Sequence, residues 1–258
     1  YDNNHETYYG HNCNIDQKGL AIIEFGHPSS NALPGEILSK LANAITEISN
    51  EPNCKLILLK SAGNRAFCAG ASFDELIAIQ NIEDGKMFFS GFAKVINACR
   101  TSTKLIIGRI HGKAVGGGVG IASAVDYAFA TESASVKLSE LAVGIGPFVV
   151  GPAVERKIGL SAMSQLAINA TAWRSARWAE EKGLYAHVFE DIDQMDEGIA
   201  ALVEKLTSSN PAAMEHLKSV FWKGTDHWDQ LLSDRAEISG RLVLSDFTRN
   251  AIQAFKKT

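Results

Sequence analysis

Two glycine-rich stretches and one glutamate hold the residues best suited to chemistry. The first stretch is Ala66-Phe67-Cys68-Ala69-Gly70-Ala71, shortly after an apolar run at Lys55–Lys60. The second is Gly116-Gly117-Gly118, shortly after a similar run at Lys104–Ile110. Glycine lets the backbone approach a ligand closely and opens φ values that other residues avoid. Each stretch is placed to present a backbone N–H at the carboxyl end of a strand. A helix starting near Gly118 would add its positive N-terminal end. Two N–H groups converging on one oxygen stabilise charge as it develops there. Glu140 stands among Leu138, Leu141, Val143, Ile145 and Phe148. Burial in such company raises a carboxyl pKa and suits it to proton transfer. Taken alone, the glycine triplet reads equally as a tight strand-to-helix turn, and Glu140 as a paired structural carboxylate.

Other site classes find little support. The dinucleotide pattern G-x-G-x-x-G fails, because Gly116 and Gly118 are followed by Ile121, and Gly118 and Gly120 by Ser123. There is no phosphate-binding P-loop and no G-x-S-x-G nucleophile elbow. His111, just before the glycines, reads as structural. His187 and His216 have no visible triad partners. Cys68 reads as a small buried filler. Arg65 could reach a ligand phosphate or simply lie solvated. Trp173, Trp178, Trp222 and Trp228 read as core or subunit contacts.

The elements that must position these groups follow from periodicity. Leu20–Phe25, Lys55–Lys60, Lys104–Ile110 and Tyr127–Ala130 read as strands, with Ser135–Leu138 as a fifth. Apolar spacing predicts helices over Leu33–Ile48, with Pro34 in its first turn, and over Asp84–Arg100, Gly118–Val125 and Val150–Ile158. Alternation of strand and helix implies a mostly parallel, buried sheet. Beyond Ser161 the pattern turns helical, with Met195–Leu206, Pro211–Trp222 and Trp228–Leu244 as helices and Gly224 and Gly240 as candidate breaks. The chain thus divides into an α/β core over residues 1–190 and a helical C-terminal part over 191–258.

The totals narrow the function classes. The chain has 258 residues, 46% hydrophobic and 21% charged, with net charge −4. That composition supports a large core, and that charge gives no footprint for nucleic acid or an anionic membrane surface. The longest apolar stretch, Leu141–Val154, is short of the ~20 residues a membrane span needs. Residues 1–19 are polar and lack the apolar run of a secretory signal. Cys13, Cys54, Cys68 and Cys99 form no C-x-x-C pair and no zinc spacing. Free thiols in a reducing, cytoplasmic setting are therefore expected, with no bound metal.

The stretch Gly112-Lys-Ala-Val-Gly-Gly-Gly118, then Ala122, Asp126, Leu138-Ser-Glu-Leu-Ala-Val-Gly144 and Pro147, resembles the crotonase (enoyl-CoA hydratase/isomerase) superfamily. So do Ala66–Ala71, His27-Pro28 with Asn31-Ala-Leu33, the segment 175–188, and Ser245-Asp246 to Phe255. The likeness covers roughly residues 18 to 258. It implies an α/β fold of the crotonase type, a spiral of ββα units followed by C-terminal helices that join subunits into a homotrimer or hexamer. It implies an acyl-CoA substrate with coenzyme A as part of that substrate, and no separate cofactor. It assigns the Ala71 and Gly117 N–H groups to an oxyanion hole for the thioester oxygen. Arg65, Phe67, Ala69, Gly70, Gly116, Gly120, Pro147 and Phe148 would contact coenzyme or acyl group. The family commonly has Asp after the residue matching Ala71, where this chain has Ser72.

Hydratases of the family use two glutamates. Here Glu140 matches one, and Gly120 stands where the other would be. A base acting alone suits a 1,3-proton shift, as in the family's Δ3,Δ2-enoyl-CoA isomerases, whose pattern Pro147-Phe148 also resembles. Some hydratases and dehydratases of the family, the methylglutaconyl-CoA type among them, also depart from the two-glutamate pattern. Three readings follow: double-bond isomerisation, hydration or dehydration, and acyl-CoA binding without catalysis.

Overall fold

The computed structural model describes residues 14–257. In chain order the elements are β1 (Leu20–Phe25), α1 (Gly35–Ser49), β2 (Leu56–Ser61), α2 (Phe73–Ile77), α3 (Ile82–Thr101), β3 (Leu105–Ile110), β4 (Ala114–Val115), α4 (Gly117–Ala124), β5 (Tyr127–Thr131) and β6 (Val136–Lys137). A single 3₁₀ turn follows at Glu140–Val143. Then come α5 (Gly151–Ile168), α6 (Ala176–Lys182), β7 (His187–Phe189), α7 (Ile192–Thr207), α8 (Pro211–Phe221), α9 (Trp228–Leu242) and α10 (Asp246–Lys256).

Five strands form one parallel sheet in the order β1-β2-β3-β5-β7. Its strands read as continuous apolar runs because both faces are covered. Along β2, Ile57 and Leu59 point into the main core with α1 and α3. The alternate residues Leu56 and Leu58 face a second cluster with Met195 and Ile199 of α7 and Met214 of α8. The C-terminal helices share the main core as well: Trp228, Leu232 and Ala236 of α9 are buried in it. This is the α/β crotonase arrangement of parallel sheet and C-terminal helices.

Two expected punctuation points behave differently. Gly240 does not break a helix; it lies inside α9 and packs on α3, where a Cβ on Gly85 would come 2.8 Å from the Gly240 backbone and a Cβ on Gly240 would come 2.7 Å from Lys86 N. Gly159, with φ 80°, bends α5 where a helix end was expected at Ile158, and helical structure then resumes to Ile168. Gly224, with φ 87°, does separate α8 from α9. Cys54, Cys68 and Cys99 are free and buried; Cys13 lies outside the described residues. Among the described residues no helix is long and apolar enough to cross a membrane.

Candidate functional site

Three chain segments are stitched together beside the C-terminal ends of β2 and β3. Short parallel β4 and β6 pair through Ala114↔Val136 and Val115↔Lys137. The Gly116 N–H extends that ladder to Lys137 O at 2.9 Å. β4 therefore delivers Gly116 and Gly117 while β6 ends three residues before Glu140. The other loop joins the same frame: Cys68 bridges Ala114, and Val115 N–H donates to Cys68 O at 3.0 Å. A bridge two residues long carries little hydrophobic signal, so its geometric role is invisible to periodicity.

The backbone of Ala71 is set by Leu33. In their parallel bridge, Leu33 N–H donates to Gly70 O (2.8 Å) and Ser72 N–H to Leu33 O (3.2 Å). This pattern uses the flanking peptides, so the N–H of Ala71 itself faces the other way. Gly117 is the first residue of α4, where backbone N–H groups have no intrahelical partner. Neither N–H donates to a protein acceptor among the described residues. The two peptides are neighbours: a Cβ built on Gly70 would stand 3.8 Å from the Gly117 nitrogen.

Glu140 approaches from the third segment. A Cβ on Gly116 would sit 2.7 Å from its Oε1, and Gly116 adopts φ 54°, so both space and backbone exclude a larger residue there. Glu140 Oε2 is shut off from solvent and has no hydrogen-bond partner among the described residues. Burial is the main cause that lifts its pKa from 4.5 to about 7, opposed by its own backbone N–H. A carboxyl that titrates near neutrality can accept and return a proton without a large penalty in either direction.

Helix α4 is wholly buried, and its glycines are spaces taken by neighbours. The Cβ direction of Gly117 is filled by the Phe92 ring, that of Gly118 by the Cys68 loop, and that of Gly120 by Val150. Gly120, which stands where the resemblance would put a second glutamate, has little room for a side chain: a Cβ there would lie 2.5 Å from Val150 Cγ1 and 3.5 Å from Ile96 Cδ1.

The remaining sequence candidates are distributed around this frame. Phe67 is fully buried and packs edge-on against Phe25 at 5.3 Å, so its ring belongs to the core and only its backbone could meet a ligand. Arg65 is exposed, Ala69 and Pro147 are half-buried, and Gly70 is buried. Phe148 is half-buried with its ring over Gly146. Ser72 caps α2, accepting from Glu75 N–H at 3.4 Å. Cys68 is inert, its thiol pushed up to about 12 by burial. His111 is buried, neither ring nitrogen has a well-formed hydrogen bond, and burial followed by the nearby Arg109 and Lys60 charges holds its pKa down to about 4. Trp222 and Trp228 pair in the core, whereas Trp173 is exposed under Lys113 and Lys137.

Three residues that shape the site have no role in the sequence reading: Phe92, Val150 and Asn31, the last named only as part of a motif. Asn31 donates through Nδ2 to Ala62 O (2.8 Å) and Ala66 O (3.0 Å), and accepts from His27 N–H through Oδ1 (2.9 Å). It thereby fastens the β1 exit to the start of the first glycine loop. Its φ of 57° lies in the left-handed region, which Asn tolerates better than most residues. Two hollows, of about 790 Å³ beside Leu160 and Ile168 and about 410 Å³ beside Lys94 and Asp229, contain none of these residues. The Ala71, Gly117 and Glu140 frame is separate from both and is the candidate site.

Comparison with known proteins bears on the family and the fold. The profile of the Enoyl-CoA hydratase/isomerase family matches residues 16–256. The chain is 27% identical over 248 residues to the short-chain-enoyl-CoA hydratase of Clostridium acetobutylicum, covering 95% of this chain and 94% of that protein. It is 25% identical over 258 residues to the peroxisomal Delta(3,5)-Delta(2,4)-dienoyl-CoA isomerase of Arabidopsis thaliana, covering 93% and 91%. The crystal structure of enoyl-CoA hydratase from Bacillus halodurans superposes with a TM-score of 0.85 at 21% identity, covering 93% of this chain and 97% of that one. At that identity the superposition establishes the fold.

Proposed function

Since the chain belongs to the enoyl-CoA hydratase/isomerase family, we propose that it shifts the double bond of an enoyl-CoA thioester, with Glu140 as its single side-chain base. The thioester oxygen accepts from the Ala71 and Gly117 N–H groups. Glu140 breaks the C2–H bond, and the electron pair moves onto the thioester as a dienolate held by those donors. Protonated Glu140 then returns the proton to C4, and the double bond lies between C2 and C3. No other reactant is needed, and the carboxylate ends as it began.

The observation that carries this reading is the Glu140 carboxyl group: its Oε2 lies buried without a hydrogen-bond partner among the described residues, and Val150 fills the Cβ direction of Gly120, one turn along α4. Hydration asks for more, namely a positioned water and a proton for C2. The hydratase relative keeps that second reading open, and an acyl-CoA-binding role without catalysis is the third. Incubation with 3-hexenoyl-CoA and with crotonyl-CoA separates them. The proposal expects 2-hexenoyl-CoA from the first and little water addition to the second. Preferred hydration of crotonyl-CoA would replace it with the hydratase reading, and inertness toward both would support the binding role.

A further inference from the structure

We infer that Val150 determines which reaction the site performs, by filling the volume beside Glu140 where a water or second proton carrier would stand. This deepens the proposal above and rests on Glu140 being the base. Gly116 and Gly120 lie one turn apart, linked by the Gly120 N–H to Gly116 O bond of 3.3 Å. The Cβ direction of Gly116 meets Glu140 Oε1 at 2.7 Å; that of Gly120 meets Val150 Cγ1 at 2.5 Å and Cβ at 3.0 Å. One turn along α4 from the glycine that faces the carboxylate, the glycine direction is thus closed by an apolar side chain, backed by fully buried Ile96.

The plug is held firmly. Val150 is 5% exposed and precedes the first turn of α5, where Val154 N–H donates to Val150 O at 3.1 Å and Gly151 N–H to Pro147 O at 2.9 Å. An ordered water needs two to four polar partners and room for one probe sphere. The side chains of Val150 and Ile96 offer neither partner nor room. No polar group on this side positions a water for attack, and the carboxylate that took the proton is the group placed to return it. Polar neighbours would place a nucleophile; methyl groups leave only the proton shuttle.

The test compares Val150→Ala, which opens space, with Val150→Thr, which keeps the shape and adds a hydroxyl. Each is scored for hydration of crotonyl-CoA and isomerisation of 3-hexenoyl-CoA, with thermal unfolding as the folding check. The ratio of hydration to isomerisation should rise at least tenfold in a folded variant. Gly120→Glu should be strongly destabilising alone, and its carboxylate should raise the ratio further in the Val150→Ala background. If Val150→Ala fails to fold, Val150→Thr is read in its place. A parent enzyme that isomerises, with folded Val150 variants at an unchanged ratio, overturns this inference and leaves the base assignment standing. A parent with no isomerisation overturns both.

Discussion

The behaviour of a single carboxyl group dominates at the scale of residues. Burial lifts the Glu140 pKa to about 7 from the ordinary 4.5. Because the base form is the active one, kcat/KM for isomerisation should fall on an acidic limb with an apparent pKa near 7. A limb near 4.5 would mean that substrate meets a solvated carboxylate. Stability should move the opposite way. The folded state keeps a proton that the unfolded chain releases above 4.5, so folding stability from this group is present below pH 4.5 and is lost as pH rises through about 7. Glu140→Gln removes the effect, so the variant should gain on the parent by roughly 3 kcal/mol between pH 4 and pH 8, read by chemical denaturation. The family resemblance pointed to Glu140, Ala71 and Gly117 through contiguous motifs, and the structure brings their segments together through β4, β6 and the Cys68 bridge; their roles are the proposal. The parts played by Val150, Phe92 and Asn31 were not legible in this way, because each acts on a segment distant in sequence.

Among the elements, buried polar fastenings hold the helical part against the sheet. Asp126 accepts from Lys218 Nζ (2.7 Å), Trp222 Nε1 (2.8 Å) and the Ile106 N–H (2.8 Å). Lys218 also donates to Cys99 O at 2.8 Å, and the Lys218 and Asp126 side chains are only 3% and 6% exposed. This set ties the end of α8 to the start of β3 and the end of α3. Asp126→Ala would strand a buried ammonium, a change worth about 3–5 kcal/mol. A urea midpoint equal to the parent's would show that Lys218 finds another partner. The long elements were readable: β1 falls on Leu20–Phe25 and α8 starts at Pro211, both as their patterns indicate. The short ones were not. β4, β7, α2 and α6 have two to seven residues each, too few for a period to repeat, and their form comes from tertiary pairing.

Across the whole molecule, the parallel sheet was predictable because strand runs such as Leu56–Ser61 are apolar on both faces and separated by amphipathic helices. The outer surface carries a further message. Leu160 and Ile168 on α5 are 65% and 73% exposed, and Val220 and Phe221 on α8 are 66% and 53% exposed. Arg156 of α5 donates to Phe221 O, so the two helices adjoin. Adjoining apolar residues of this size on a surface mark a contact face. We propose that this face and the C-terminal helices join copies of the chain as a trimer or a pair of trimers. Light scattering at micromolar concentration should return three or six times 27.8 kDa; a monomer would remove this part of the account.

The central claim is that Glu140 alone moves the proton between C2 and C4. Its most direct test is exchange of those substrate protons with deuterated solvent, followed by NMR on bound 3-hexenoyl-CoA for the parent and for Glu140→Gln. The variant should still bind the thioester through Ala71 and Gly117 while exchange and turnover fall by ~10³–10⁴-fold or more, the upper range for loss of an acid–base group. Exchange in Glu140→Gln as fast as in the parent would show that another group carries the proton and would contradict the account.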